Sequence, residues 1–410
     1  MKKYFLYSIT IMVFSSLMFA ACKKEYRIKE KEADDKLITI NVSNVDQLYA
    51  AVNDPANAKK RIVLAPGTYI LNASFPNGGR LELQEDMELQ GKNGHPDQVI
   101  IDESSLPSAS FSIPPIRTGG IRLGRGTNTL EWLTIKGSAA GLSVIDTDLP
   151  STETYIKIFH VNIIGNGSSI GIDIRNVLPE EAGRKIYAEL AHNDITGNTT
   201  LLGPGVEVQN SNGASGSLIK VNLKNNNIHG NRVGLGAFQN GASSSVINSR
   251  IEVTSYADRI EENGVGMYVG GGASQVPAAI VNGNTTIIEV HGSSIRNNNP
   301  VPLPAILRPD VPGFTPCGIY MFGGRSSNIQ GNNKASDNTL RVSFWGSDIA
   351  DNNLPHVLAF GAWCQPQALL AGTNNLVEVY LNGVSKKATV EATPSFPTEP
   401  AGTNMVNIFR

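Results

Sequence analysis

A short phrase, Ile-x-x-Asn, recurs six times and limits the folds open to this chain more than any other feature. It stands at Ile163 to Asn166, Ile195 to Asn198, Ile228 to Asn231, Ile260 to Asn263, Ile295 to Asn298 and Ile349 to Asn352. Successive isoleucines lie 32, 33, 32, 35 and 54 residues apart, the mark of stacked repeats and not of a domain built round one central core. In five of the six, a Gly-containing apolar segment follows closely.

Each repeat divides into three strands. Seven and five residues before the Ile, the positions are mostly apolar: Ile156 and Ile158, Ala188 and Leu190, Val221 and Leu223, Ile288 and Val290, Val342 and Phe344. Polar residues alternate with them, which predicts a first strand with one buried face. The Ile-x-x-Asn phrase supplies a second strand and a bend, where Asn tolerates left-handed backbone and bonds to nearby backbone groups. Gly171 to Ile174, Gly205 to Val208, Gly266 to Val269 and Gly318 to Met321 read as the third strand. Three short strands without a helix cannot bury their apolar faces alone, so the repeats must stack into a solenoid. Equivalent Asn residues then lie about 4.8 Å apart, the spacing of paired strands. Their side-chain amides are expected to bond to one another inside the coil.

Upstream, Leu37 to Val42 predicts a strand and Ser43-Asn44-Val45-Asp46 reads as a capping box. Val45, Leu48, Tyr49 and Val52 then fall on one face of a short helix, placed to close the open end of the coil and protect its edge. A strand and turn follow, from Arg61 to Pro66-Gly67-Thr68-Tyr69. This opening and the stacked repeats, over about residues 60 to 410, resemble the right-handed parallel β-helix family: pectin lyase-like folds and the carbohydrate-binding and sugar-hydrolase repeats. The resemblance implies an all-β, right-handed parallel β-helix solenoid with a short N-terminal capping helix.

Residues 1–21 read as an export signal, with Lys2 and Lys3 ahead of an apolar run from Tyr4 to Ala21. Leu17 to Cys22 resembles a bacterial lipobox, with Phe19 where an aliphatic residue is usual. That resemblance implies lipidation of Cys22 and anchoring to a membrane; a transmembrane anchor of about 18 residues is the alternative. Residues 22–36 form a charged tether. Lys23 is not the Asp retention signal of some lipoproteins, which favours the outer membrane without choosing a side. Residues 37–410 are expected to form a single β-helix domain, with a cap at 37–60, irregular first coils at 61–135 and regular repeats over about 136–381. A C-terminal loop and closing strand occupy 382–410, the strand falling within Asn404 to Phe409. Pro300 to Pro316 is a proline-rich excursion that cannot be a central strand.

The formal charge of −2 and a pI near 6.3 give no basic footprint for nucleic acid. Loss of Lys2 and Lys3 with the signal leaves 32 basic against 36 acidic residues, or −4. Cys317 precedes one third strand and Cys364 follows the next, which sets them farther apart than a disulfide reaches.

Length varies most between the third strand and the next repeat: Gly270 to Thr286, Gly323 to Thr339 and Gly361 to Asn375. Such insertions commonly build the binding face of a solenoid. Alternation turns outward Asp173 and Arg175, Glu207 and Gln209, Gly236 and Phe238, Tyr268, Tyr320 and Phe322, then Leu358 and Phe360, with Trp363 just beyond. Acids occupy one end and aromatics the other, a combination that suits sugars, since rings stack on C–H faces while carboxylates and Arg bind hydroxyls or acidic groups. Arg175, Tyr268, Tyr320, Phe322 and Trp363 are the expected substrate contacts. Asp173 and Glu207 fall in adjacent coils with side chains roughly 5 Å apart, the separation of a retaining glycosidase pair or of two acids raising each other's pKa. The competing arrangement packs the aromatics beneath the loops and leaves the acids as neighbours on a rung.

His160 and His192 each stand three residues before the repeat Ile, but the next residue in that column is Asn225. A metal needs three or more ligands, so neither metal nor cofactor is expected, and no motif supports calcium at the acidic end. Lys157 beside Glu189 and Lys220 beside Glu252 read as cross-strand ion pairs of little worth. Polygalacturonase-like signatures are lacking: Asp146-Thr147-Asp148 stands alone, His229-Gly230 lacks a preceding Gly, and Arg259-Ile260-Glu261 lacks the Lys. Arg308-Pro309-Asp310 does not reproduce the pectate lyase pattern. The expectation is therefore a lipid-anchored envelope protein that binds a polysaccharide or glycan along its third-strand face. Alternatives are a polysaccharide lyase or glycoside hydrolase using Asp173 and Glu207 with Arg175 on an acidic sugar, and a non-catalytic adhesion scaffold for protein contacts. No sequence feature sets the oligomeric state.

Overall fold

The structure is a computed structural model. It describes residues 37–410 except 107–118, 139–142, 169, 177–181, 201–202, 212, 243, 277–278, 299–316, 327–333, 365–371 and 397–402. The export signal, Cys22, the tether and the whole Pro300 to Pro316 excursion lie outside the described residues.

Most coils contribute one strand to each of three long sheets, of twelve, nine and ten strands, and neighbours in a sheet come from successive coils. In one coil these are Glu153–Phe159, Asn162–Ile164 and Ile170–Asn176. Registered neighbours are parallel, as with Ile156 opposite Ala188, Ile163 opposite Ile195 and Ile172 opposite Val206. Parallel strands joined through a crossover take the right-handed path, and the chain is a parallel β-helix. Ile156, Ile158, Ile163, Ile172 and Ile174 are fully buried, and their equivalents continue one apolar core along the axis.

The helix spans Val45–Val52, with Asn44 as its N-cap accepting a bond from the Gln47 amide. The reciprocal partner is Gln47, not Asp46: its Oε1 accepts from the Ser43 amide at 2.9 Å. Leu48, Tyr49, Ala51 and Val52 are buried, covering the N-terminal end of the core. At the other end Met405–Phe409 closes the twelve-stranded sheet. Within the expected C-terminal loop, Val390–Phe396 instead forms a strand paired with Val357–Cys364.

The expected Asn row is present, and two further rows accompany it. Asn198, Asn231, Asn263, Asn298 and Asn352 link Nδ2 to the next Oδ1 at 2.8 to 3.2 Å. Each later member also donates to the Ile carbonyl one coil back, as Asn231 does to Ile195 at 3.0 Å, so buried amides are satisfied on both sides. Asn166 is not a member. It takes left-handed backbone itself (φ 51°) and is exposed, and the Ser168 hydroxyl donates to Asn198 in its place at 2.7 Å. In the later repeats the left-handed residue is the one before the Asn: Gly197, Gly230, Glu262, Asn297 and Asp351. The glycine opening the third strand makes room for this row, since a Cβ at Gly205 would approach Asn231 Nδ2 to 2.8 Å and one at Gly266 would approach Asn298 Nδ2 to 2.8 Å.

A second row, between first and second strands, runs Asn193, Asn226, Asp258 and then Ser293. The third precedes the first strand and runs Ser249, Asn284, Asn338, Asn375 and Asn404. A short fourth sheet of Val246–Ile247, Ile280–Asn282 and Lys334–Ser336 is also absent from the three-strand reading. Beneath it Ala214, Val246, Val281 and Ala335 form a small apolar cluster of their own.

Candidate functional site

One column of outward-pointing positions runs along the ten-stranded sheet. In register order it reads Glu82, Arg122, Asp146, Asp173, Glu207, Gly236, Tyr268, Tyr320, Leu358 and Glu391. Two residues further along the strands lies a second, of Arg175, Gln209, Phe238, Gly270, Phe322 and Phe360. Acids and aromatics therefore segregate along the axis as the alternation predicts, with Gly236 at the border.

The face differs from expectation in being closed. Asp173, Arg175 and Glu207 are 0 %, 1 % and 3 % exposed. Asp173 and Glu207 do stand opposite one another in adjacent strands, but Asp173 is held by Arg175 Nε at 3.1 Å. The same guanidinium grips Asp146 with two bonds, Nε to Oδ1 at 3.1 Å and Nη2 to Oδ2 at 2.6 Å. Arg175 is thus engaged by two carboxylates, which hold it protonated, and its placement does not match that of a residue reaching out to an acidic sugar. Burial pushes the Asp146 carboxyl well above the usual carboxylate range, against the pull of Arg175 and with the added push of Asp148 and Asp173. Two coils before Arg175, Arg122 makes a similar arrangement, gripping Asp148 at 2.8 and 3.2 Å while contacting Glu82. Sequence reasoning missed Asp146, Asp148 and Arg122 as members of this network, although Asp146-Thr147-Asp148 carries the alternation that aims both acids outward.

The aromatic half is packed in the same way. Phe238, Tyr268, Tyr320, Phe322, Leu358 and Phe360 form a second apolar cluster with Cys317 on the outside of the sheet. Tyr268 and Tyr320 stack at 5.3 Å and 8°, and Phe238 meets Tyr268 nearly at a right angle, both favoured ring geometries. Arg325 Nη1 donates to the Tyr268 hydroxyl at 2.8 Å. Burial raises the Tyr268 phenol, with Arg325 opposing. Trp363 lies in the strand opposite Arg325, but its side chain is outside the described residues. Cys317 is a free, buried thiol that burial pushes up to about 12. Cys364 pairs with Ser326 at the far end of that strand.

Other polar groups stand apart from this face. His160 stacks between Trp132 at 4.0 Å and His192 at 5.0 Å, and all three residues have left-handed backbone. Lys220 and Glu252 pair at 3.2 Å on the twelve-stranded sheet. On that sheet Tyr256 and Trp345 remain 48 % exposed. Among the described residues no group of three or more His, Cys, Asp or Glu could hold a metal ion.

No family model matches the chain, and no curated protein matches it either. Among solved structures, the A-module of Azotobacter vinelandii mannuronan C-5 epimerase AlgE4 is similar over 90 % of this chain and 97 % of that one, at 10 % identity and a TM-score of 0.38. The AlgE6 A-module of the same organism aligns with 90 % of this chain and 100 % of its own, at 14 % identity and 0.36. Pectate lyase Pel9A covers 87 % and 75 %, at 12 % identity and 0.30. Likenesses this distant carry no argument about the site. By strand order and register, the chain is an all-β parallel β-helix.

Proposed function

We propose that this β-helix binds a polysaccharide along the outer face of its ten-stranded sheet, without catalysing its cleavage. The observation that carries the reading is the axial column that changes from carboxylates and guanidinium groups to stacked aromatics at Gly236. Because Asp173, Arg175, Glu207, Tyr268 and Tyr320 are themselves covered, a glycan lying along the axis would contact the connections that adjoin this column, as insertions commonly build the binding face of a solenoid. Hydrolysis by Asp173 and Glu207 fits less well, because a nucleophilic carboxylate must be free to attack and Asp173 is engaged by Arg175. The lipobox-like Leu17 to Cys22 supports a lipid anchor at Cys22 and a place in the bacterial envelope, on the outer membrane.

The test is a panel of acidic and neutral polysaccharides, cast into native gels for retardation and incubated with the protein from Lys23 onward. New reducing ends and the absorbance of unsaturated sugars are followed in parallel. Retardation by at least one polymer without either product is expected. Unsaturated ends would make the protein a lyase, and no retardation by any polymer would leave the scaffold reading in its place.

A further inference from the structure

The outer faces of the long sheets differ in what they show to solvent. The nine-stranded sheet carries a polar column of Asn162, Asp194, Asn227, Arg259, Ser294 and Asp348. Among the described residues the exposed large aromatic side chains are Tyr256, Trp345 and Phe409, and all three stand on the twelve-stranded sheet. Tyr256, His291 and Trp345 close successive strands in register, stacking at 4.6 Å and 15°, then at 6.3 Å and 6°. In the last two strands Tyr380 and Phe409 stack at 4.5 Å and 11°. Rings stacked along the axis give their faces to one another and turn their edges outward. A sugar stacks on a ring face, so this row is poorly suited to a glycan. Apolar edges rimmed by an indole N–H and a phenol O–H instead match the boundary between acyl chains and headgroups, where Trp and Tyr concentrate.

Charge and chain path narrow the partner further. Beside the rings, Lys220 and Arg250 meet Glu252 at 3.2 and 2.6 Å, and Arg341 meets Glu378 at 2.7 Å. These pairs cancel, unlike the basic clusters that draw proteins to anionic lipid. Lys224 stands opposite Tyr256 in the adjoining strand, where a headgroup phosphate would lie. The chain enters the solenoid through Ile38–Val42, the first strand of this same sheet. Residues 22–36 precede it, and fifteen residues span at most about 50 Å. The strand of Trp345 is tenth in the sheet, about 43 Å from the first at the spacing of paired strands.

We propose that the twelve-stranded sheet docks on a zwitterionic lipid bilayer through Tyr256, Trp345 and Phe409, so that the solenoid lies along the membrane. The inference rests on the anchor at Cys22 in the reading above. A lipid there holds the sheet near the bilayer at high effective concentration, so a modest surface contact is enough to lay the coil down.

Tryptophan quenching tests the docking. The protein from Lys23 onward is held through an N-terminal histidine tag on phosphatidylcholine vesicles containing a nickel-chelating lipid, with and without bromine on the acyl chains. Bromine quenches tryptophan at short range. Wild type is expected to be quenched, Trp345→Phe to lose most of that quenching, and Trp132→Phe, whose ring stacks on His160 away from this row, to keep it. Wild type that is not quenched, or quenching that Trp345→Phe leaves intact, would overturn the docking face. Quenching that requires phosphatidylglycerol would overturn the zwitterionic assignment, and Trp345 emission that shifts with soluble polysaccharide in place of lipid would give the face to a glycan. The anchor is read separately, from the mass of the N-terminal peptide of the full chain expressed in a bacterium. An unmodified Cys22 would remove the anchor and with it the route to the bilayer, a failure distinct from a silent Trp345.

Discussion

The two halves of the ten-stranded sheet's outer face bury their side chains by opposite means. Toward the N-terminal coils, Arg122 and Arg175 each bind two carboxylates, and the charged groups are covered only because their partners are in place. Toward the C-terminal coils, Tyr268, Tyr320, Phe322 and Phe360 pack as rings with no formal charge to neutralise. Ion pairs under cover depend on geometry and fail badly when one partner goes. Ring clusters lose stability in proportion to the volume removed. Two stretches of one sheet, equally buried, should therefore answer a single substitution very differently.

The sharpest way to break that contrast is Arg175→Ala, which leaves Asp146 and Asp173 buried without their counter-ion. A loss of about 3–5 kcal/mol is expected, read as the shift in the urea unfolding midpoint. Phe322→Leu in the aromatic half is expected to cost about 1–2 kcal/mol. Should the two variants unfold at the same urea concentration, the distinction between the halves is wrong.

Asp258 tests an intermediate case, a buried acid supported by amides and a hydroxyl instead of a guanidinium: Ser255 Oγ donates to it at 2.6 Å and Asn226 Nδ2 at 2.9 Å. Burial raises its pKa, with those bonds opposing. A raised folded-state value means the folded protein holds the proton more tightly, so stability falls as pH rises from the unfolded pKa through the folded one. Asp258→Asn should remove that slope and leave the variant the more stable at neutral pH, as thermal melts across pH 4 to 8 would reveal; a variant that melts lower at every pH would contradict this. The smallest effect belongs to Tyr256→Ala. At 48 % exposure on the twelve-stranded sheet, it should change stability by no more than about 0.5 kcal/mol. A larger loss in the same melts would mean that its stacking on His291 at 4.6 Å holds the outer surface as firmly as the covered face.

How much of this was legible in the sequence follows from how uniform each row is. The Ile-x-x-Asn row repeats one residue type at five of its six positions, so its spacing and inward placement could be read directly. The second row changes from Asn193 and Asn226 to Asp258 and Ser293. Any short side chain with a suitable oxygen can serve there, and no repeated letter announces it. The third row follows connections of varying length, which hides its period. On the outer face, alternation identified which residues share a side and where acids give way to aromatics. It could not tell whether that side was open, because alternation fixes the direction of a side chain and not what lies above it. The Arg175 grip on Asp146 joins residues 29 positions apart, and only the register of the coils brings them together.

The three rows also have a direction. In each, the amide of one coil donates to the oxygen of the following coil, as Asn193 does to Asn226, Asn198 to Asn231 and Asn338 to Asn375. A rung is thus a tile with a donor on one edge and an acceptor on the other. Copying a whole repeat of about 32 residues into the array would lengthen each row by one matched joint. Shifting a coil by part of a repeat would mismatch all three rows at once, so the molecule can change its length in whole rungs far more readily than in single residues.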